Sequence, residues 1–551
     1  MKNCIKYLIV ATGLALFTGC ETVDLDLLEN PNNITVESAD PNFVLNDIML
    51  DFNGIVSGYS GTDQVLMRMR YLFGTYANTV SETTISGEWA TSYSMFSNID
   101  LLQGINDFDI SEGGEGLPNH VGIAQVIEAY AYMLLVDHAG NVPFSEANQP
   151  EDFPNPRLDD GAVVYDAQIA LLDDAIVNLN SVVASVPTDL YYGEFDATKW
   201  VALANTLKIR AYLNLSLTNP SRARDGINQV LGTGIFINTL DEDFQFNYNS
   251  TVSSNSDGRH PTFVGNYGAG GAGGYMSNNL YDFMNAGDDQ PPFIETGDPD
   301  PRVRYYFYRQ TSSAPSGSNL PCEGDALYDY CYVGNLYWGR DHTDEAGIPA
   351  DGPRRTTFGV YPVGGAFDAD NFLRAPDPQL PKMEGAGINP IYTSANTHFA
   401  LAEAALVLNT AGGSPASLLE QGIRLSMNKV LDFPTVSTEN PDTGEDFAAT
   451  NAQVNDYVNR VLNEFNSANT AGKLNVIARE NMIASFGNGI EPYNTYRRIG
   501  APTLQSPIIA AGAFPRAWRY PENEVNNNPN ISQQPLTTRV FWDNNPQGFI
   551  D

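Results

Sequence analysis

The sequence predicts an all-α fold: tetratricopeptide-like helical hairpins forming a scaffold, with a large loop-rich insertion carrying the ligand face. Three observations point there. Apolar residues recur at three- and four-residue spacing through many separate segments. Small residues punctuate those segments, among them Ala124, Ala131, Ala202, Ala204, Ala211, Ala400, Ala402, Ala404 and Ala405, which lets paired helices approach closely. Between residues 235 and 390 the helical period fades, and glycine, proline, asparagine and aromatic residues take over. No clean consensus recurs at the 34-residue repeat period, so a plain helical bundle fits the same pattern.

The elements follow in order. Val44, Ile48, Phe52 and Ile55 predict a helix over 43–56, and Val65, Met69, Leu72 and Tyr76 another over 64–76. Ile123, Ile127, Ala131 and Leu134 share one face of a helix over 122–138. Helices over 162–179 and 198–217 follow, the latter with Trp200, Leu203, Leu207 and Ala211 on one side. Beyond the insertion, the period predicts helices over 393–408, 416–431, 454–465 and 474–486. The stretch from 501 onward holds Pro502, Pro507, Pro515, Pro521, Pro529 and Pro535 and reads as loop.

At ~150 residues per domain the length suggests several domains; the repeat reading gathers 42–551 into one, with 235–390 as its insertion. Residues 1–19 form a basic start (Lys2, Lys6), then an apolar run, then Thr18-Gly19 before Cys20. That order is the anatomy of a cleaved export signal, and its cysteine resembles the lipidated residue of bacterial lipoproteins. An ordinary secretory signal with a chance cysteine is the alternative, and Phe17 stands where lipoprotein signals usually carry a small aliphatic residue. The apolar run is shorter than the ~20 residues of a membrane span. Residues 20–41, acidic and rich in Asn and Pro, read as a tether between a lipid anchor at Cys20 and the folded body.

The formal charge is -37, or -39 without the two lysines of the signal. Such a surface repels phosphate backbones, so nucleic acid is excluded as a partner. Polyanionic glycans are disfavoured for the same reason, and neutral ligands fit. With Cys4 in the signal and Cys20 lipidated, Cys322 and Cys331 remain. Two neighbouring cysteines in an exported chain read as a disulfide; a zinc site would need two further ligands, and His342 alone does not supply them.

Catalytic and metal signatures are weak. Asp107, Asp109 and Ser111 alternate like the start of a calcium loop, but Glu112 and Pro118 stand where its glycine and final acid belong. No His-Glu-x-x-His occurs. Gly412-Gly-Ser-Pro-Ala416 lacks the last glycine of a nucleophile elbow. The glycine-rich run 267–275 has no lysine and no phosphate-loop spacing. No catalytic residue, metal or cofactor is assigned.

Several segments together resemble one family. Arg479-Glu480-Asn-Met-Ile-Ala-Ser-Phe486, Tyr493-Asn-Thr-Tyr-Arg497-Arg498-Ile-Gly500-Ala-Pro502 and Pro515-Arg516-Ala-Trp-Arg519-Tyr520-Pro521-Glu522-Asn-Glu524 are similar to the C-terminal signature of the SusD/RagB family. Val136-Asp137-His138-Ala-Gly140-Asn-Val-Pro143-Phe144, Asp298-Pro-Asp-Pro301-Arg302 and Val540-Phe541-Trp542-Asp543 resemble further elements of it, in the family's order. The Asp-Pro-Arg element carries an extra Pro-Asp here. The resemblance implies an outer-membrane lipoprotein facing the cell exterior. Such a protein captures oligo- or polysaccharide and delivers it to a SusC-like TonB-dependent transporter. A peptide-binding member is the alternative, and a glycoside hydrolase a more distant one. Arg497, Arg498, Arg516 and Arg519 are expected to hold the C-terminal stretch against the helices by pairing with carboxylates such as Glu480, Glu522 or Glu524.

A neutral sugar, with glucan weakly preferred, needs aromatic platforms flanked by hydrogen-bonding groups. The cysteine loop offers the best local match: Tyr328, Tyr330, Tyr332, Tyr337 and Trp338, with Asn335, Arg340 and Asp341. The same aromatics would equally make a small core beneath a long loop. Trp89, with Tyr93 and Phe96, is a second candidate whose spacing also suits a buried helix face. Tyr275, Asn278 and Asn279, at the end of the glycine-rich run, are a third.

Overall fold

The computed structural model describes residues 35–254, 256–287, 298–436 and 447–550. The expected signal, Cys20 and most of the tether lie outside them. Helix α1 (Pro41–Leu66) packs on α2 (Ser86–Ser111), α3 (Pro118–Ala139) on α4 (Gly161–Leu179), α5 (Ala197–Asn214) on α6 (Pro220–Thr233), and α7 (Ser394–Leu408) on α8 (Pro415–Asp432). These four hairpins stack in chain order, with 235–390 between the third and the fourth. Helices α9 (Asn451–Ser467), α10 (Thr470–Ala484) and α11 (Ile490–Ile499) close the array against α7, α8 and α1.

Local chemistry sets the boundaries. Asp40-Pro41, Asn219-Pro220 and Ser414-Pro415 each place a capping side chain before a proline in the first turn, where its missing N–H costs nothing. Thr393 with Asn396, and Thr450 with Gln453, form reciprocal capping boxes. Each of the last three hairpins has a glycine at its crossing. A Cβ there would meet Leu179 from Gly122, the Tyr212 ring from Gly226, and the Phe399 ring from Gly422, all under 3.0 Å. The helices therefore sit closer than any side chain at those positions permits.

Two expectations are corrected. The segment 64–76 is not a second helix. At Arg68 the backbone turns into the left-handed region (φ 56°), Met69 and Arg70 both donate to the Gln64 carbonyl, and the chain then leaves the helical layer. And 86–111, unassigned from the sequence, is a 26-residue helix burying Trp89, Phe96, Ile99, Leu102 and Ile105. Its N-cap, Ile85, makes no side-chain capping bond, so the usual start signal is absent.

The insertion is largely core. Among its described residues, six short strands form three pairs: β1 (Phe244–Asn247) antiparallel with β6 (Ile388–Tyr392), β2 (Met276–Ser277) parallel with β4 (Gly339–Arg340), and β3 (Phe307–Tyr308) antiparallel with β5 (Thr357–Phe358). Tyr281, Tyr306, Phe307, Tyr308, Phe358 and Tyr361 from this region join the main hydrophobic core with α1–α5. A second core lies among α5–α10.

The stretch after α11 crosses back over the first hairpins. Trp518 N donates to the His138 carbonyl (2.6 Å) and Glu522 N to that of Glu82 (2.9 Å). At the crossing, buried Asp137 accepts Arg210 Nη2 (2.7 Å), Asn494 Nδ2 and Trp542 Nε1 (both 2.9 Å), and the Tyr165 hydroxyl. Beside it, His138 Nε2 bonds Asp63 at 2.9 Å and its ring stacks on Tyr59 at 4.0 Å. Of the arginines expected to pin this stretch by ion pairs, Arg497 does so through carbonyls, whereas Arg498 joins α11 to α7 and Arg516 pairs within the stretch. Arg498 pairs with Glu403 (2.6 Å), Arg516 with Asp543 (2.7 Å), and Arg497 donates to the carbonyls of Asp137 and Arg516. Glu480 is held by Arg302 and Arg479 instead.

Candidate functional site

Cys322 and Cys331 are bonded, Cα to Cα 5.6 Å, clamping the loop that holds most of the candidate rings. The structure divides those candidates. Trp338 is 3% exposed, its Nε1 on the Ser313 carbonyl at 3.1 Å. Tyr337 is buried between Tyr281 and Phe307, with the Arg309 guanidinium 5.1 Å from its ring. Buried Arg340 lies 4.8 Å from the Tyr275 ring and donates to the Asn319 carbonyl. Buried Asp341 accepts Asn278 Nδ2 (2.6 Å) and Tyr330 N (3.3 Å). Trp89 is buried against Tyr93 and Tyr520. Tyr275, Asn278 and Asn279 are also buried.

None of these can serve as an open platform, which corrects the expectation for Trp338, Tyr337, Arg340, Asp341 and Trp89. The physical reason is that large rings contribute most to a core, and a long insertion needs one of its own. Tyr328, Tyr330 and Tyr332 are half-buried, and Asn335 is exposed. Asn335 also serves the loop itself: it sits at φ 49° and its Nδ2 caps the Ala286 carbonyl at 2.9 Å.

A neighbouring loop, read as helix in the sequence, completes the surface. Residues 67–76 are zipped to the insertion through Tyr71 N on the Tyr275 carbonyl (3.1 Å) and Thr343 N on that of Leu72 (3.0 Å). This brings Tyr71 beside Tyr328, with Phe73 two residues further along the loop. The Tyr71 hydroxyl donates to the Asp344 carbonyl, and the Tyr328 hydroxyl to Asp344 Oδ1 at 2.8 Å. Gly74, at φ +81°, turns the chain so closely that a Cβ there would sit 3.3 Å from Glu345 Oε1. Phe73 is left 55% exposed; Leu327 (71%) and Ile348 (47%) are exposed on segments flanking Tyr328 and Glu345.

Beneath the rings lie paired charges. Arg355 Nε bonds Asp351 Oδ1 at 2.7 Å, and the Tyr275 hydroxyl donates to both Asp351 oxygens (2.6 and 2.7 Å). The Arg340 and Arg355 guanidinium groups lie 4.8 and 4.1 Å from the Tyr275 ring centre. Burial, then the Asp351 carboxylate, pushes the Tyr275 phenol up to about 12. With Arg355 on Asp351 and Arg340 Nη1 3.8 Å from Asp344 Oδ2, each of these two arginines has its own acid and offers no net positive charge to an anion. The face can stack apolar surface on Phe73 and accept hydroxyl protons at exposed Glu345. Among the described residues no group of three or more His, Cys, Asp or Glu is placed to hold a metal ion.

Two acids support the cysteine loop from below. Burial pushes Asp282 up to about 7, and Asp341 up to about 6. A carboxyl raised above its unfolded value binds its proton more tightly in the folded state. Folding is therefore favoured at low pH, and stability falls as pH rises from about 4 to about 7. Asp282→Asn is expected to flatten that slope and to stabilise the protein above pH 7, by up to about 4 kcal/mol if the whole shift is expressed. Urea midpoints measured across this pH range check it; an unchanged slope would refute it.

Geometry and composition together define a class: a helical-repeat scaffold presenting an aromatic loop face. Two family models match the chain. One, described as starch-binding and associating with the outer membrane, covers residues 33–316; the other, described as SusD and RagB outer membrane lipoprotein, covers 381–538. The chain belongs to the SusD/RagB family. No curated protein matches significantly. Among solved structures, a SusD/RagB family protein from Bacteroides thetaiotaomicron is similar over 93% of this chain and 100% of its own, at 18% identity and TM-score 0.65. A chitin-binding SusD homologue from Flavobacterium johnsoniae aligns over 92% of this chain and 100% of its own, at 17% identity and TM-score 0.61. A further structure, titled a chitin-binding protein, gives 18% identity and TM-score 0.63 over 92% of this chain and 100% of its own. The family's models describe outer-membrane lipoproteins, and no described helix is long and apolar enough to cross a membrane.

Proposed function

We propose that this protein is a non-catalytic capture protein. It is tethered through a lipid on Cys20 and faces the cell exterior. It binds a neutral oligo- or polysaccharide at the face formed by Tyr71, Phe73 and Tyr328, and passes it to a SusC-like TonB-dependent transporter. The observation that carries this reading is Phe73, a large ring left open to solvent on the same loop as half-buried Tyr71, whose hydroxyl, like that of Tyr328, is tied to Asp344. Rings fixed in advance lose little freedom when a sugar stacks on them. The paired arginines beneath and the net charge of -37 favour an uncharged polymer. Two structural neighbours named for chitin binding make β-linked N-acetylglucosamine chains the first probes, with glucans second.

The test is native affinity electrophoresis in gels containing glycol chitin or soluble starch. Phe73→Ala should weaken retardation about tenfold or more, since burying a phenylalanine side chain is worth about 1.5–3 kcal/mol. Trp338→Ala should lower the melting temperature and act on binding only through the fold. Full retardation of a folded Phe73→Ala/Tyr328→Ala protein would sink the assignment of this face.

A further inference from the structure

Away from the loop face, the β1–β6 ribbon borders a groove of about 590 Å³ that shares no residue with it. The ribbon is fastened on two sides. Toward α1, Asn53 Nδ2 donates to the Tyr248 hydroxyl (3.1 Å) and Asn389 Nδ2 to Asn53 Oδ1 (2.8 Å). Toward α8, Lys429 Nζ donates to Asp243 Oδ2 (2.7 Å) and Gln245 Oε1 (2.5 Å). The groove opens between ribbon and helix. Its floor is apolar and buried: Met383, Ile388 and Phe433. Its rim carries the exposed carboxamides Asn247, Asn249 and Asn428. Tyr248 stands half-buried at the edge, held edge-to-face by His260 at 4.8 Å.

The charges decide what such a groove accepts. Lys429 is already neutralised by Asp243, and Asp432 adds an acid to the rim. Burial holds the His260 ring down at about 4, so it brings no positive charge at neutral pH. An anion would find no free cation among these lining groups. A neutral polyhydroxylated chain fits: its C–H faces lie against the half-buried Tyr248 ring above that floor, and its hydroxyls reach the carboxamides. The volume falls within the ~300–1,000 Å³ of ordinary ligand sites.

We propose that this groove is a second glycan subsite, taking another stretch of the same neutral polymer that the loop face holds. The inference rests on the capture reading above. Two contacts on one chain raise the apparent affinity for long polymers far more than for short ones.

The test uses chitohexaose and maltohexaose with protein carrying ¹³C-methyl methionine, and glycol chitin and soluble starch for retardation. Titration with the hexasaccharide that binds should shift the Met383 methyl signal in the unaltered protein, and still shift it in Phe73→Ala/Tyr328→Ala. Asn428→Trp, which fills the groove from an exposed helix position, should abolish that shift and weaken polymer retardation by about fivefold or more, the loss expected when a two-point contact becomes single. Asn249→Ala is the gentler variant should Asn428→Trp disturb the fold. A silent Met383 in a protein whose Phe73 face still binds overturns the second subsite and leaves the capture reading standing. Wild-type retardation by a folded Asn428→Trp overturns it equally. Failure of the unaltered protein to bind any of the four probes overturns both.

Discussion

Replacing Asp137 with alanine is expected to destabilise the protein by about 4 kcal/mol, the scale measured when one partner of a buried ion pair is removed. Four donors from four different segments converge on this one carboxylate: Tyr165, Arg210, Asn494 and Trp542. Without it, Arg210 is left with Glu491 (2.6 Å) as its ion-pair partner among the described residues, in a site buried from solvent. Burial alone would raise the Asp137 carboxyl; Arg210, the Tyr165 hydroxyl and Arg497 outweigh that and hold it below the usual range. Its contribution is therefore present above the unfolded value near 4 and lost as pH falls through the folded one. Asp137→Asn keeps the shape but not the charge and should fall between the two. Urea midpoints of the three proteins at neutral pH decide it. A loss below about 1 kcal/mol for the alanine variant would mean that the hub contributes no more than an ordinary surface contact.

Arg302→Met should be nearly as damaging, for the opposite reason: it strands acids. Arg302 is fully buried, bidentate to Asp300 (2.9 and 2.6 Å), 3.3 Å from Glu480, and hydrogen-bonded to Ser426 Oγ and Tyr457 Oη. Burial already raises the Glu480 carboxyl, with Arg479 and Arg302 pulling the other way. Removing the guanidinium leaves two carboxylates in the core, at a cost of about 3–5 kcal/mol. Neutralising both as well, in Asp300→Asn/Arg302→Met/Glu480→Gln, should recover much of that loss. Recovery of nothing would show that Arg302 acts mainly through its packing under Tyr457. Thermal unfolding of the single and triple variants separates the cases.

The helices most legible in the sequence were those with a clear start and one buried stripe. Asp160 and Asp196 cap α4 and α5, Ser414-Pro415 opens α8, and their apolar residues recur at the helical period. Helix α2 escaped because its cap is silent and its exposed side is peppered with Ser, Asn and Asp between the buried rings. The segment 64–76 was misjudged for a different reason. Met69 and Leu72 are apolar and correctly spaced for a helix, but they are buried by a loop that turns at Arg68.

The proposed face overlaps the sequence candidates by region rather than by residue. The cysteine loop borders that face through Tyr328. Periodicity carries no information about which of two neighbouring rings turns inward, so Trp338 and Tyr337 could not be told from Tyr328. Phe73 was missed because its loop was read as helix, although Phe-Gly just past a helix end is a usable signal. The arginines were recognised as structural, but their partners lie too far along the chain for sequence alone to find: Arg498 and Glu403 are separated by 95 residues.

The crossing of residues 514–545 over the first two hairpins has a consequence for biosynthesis. Tyr59, His138 and Trp518 share one packed centre, yet Trp518 is synthesised some 380 residues after His138. At about 5–20 residues per second, the early helices wait roughly 20 seconds or longer for the ring that completes them. Until then the nascent polypeptide lacks its keystone and stays open to chaperones and proteases. Truncated translation products ending before that ring should be degraded rather than accumulate.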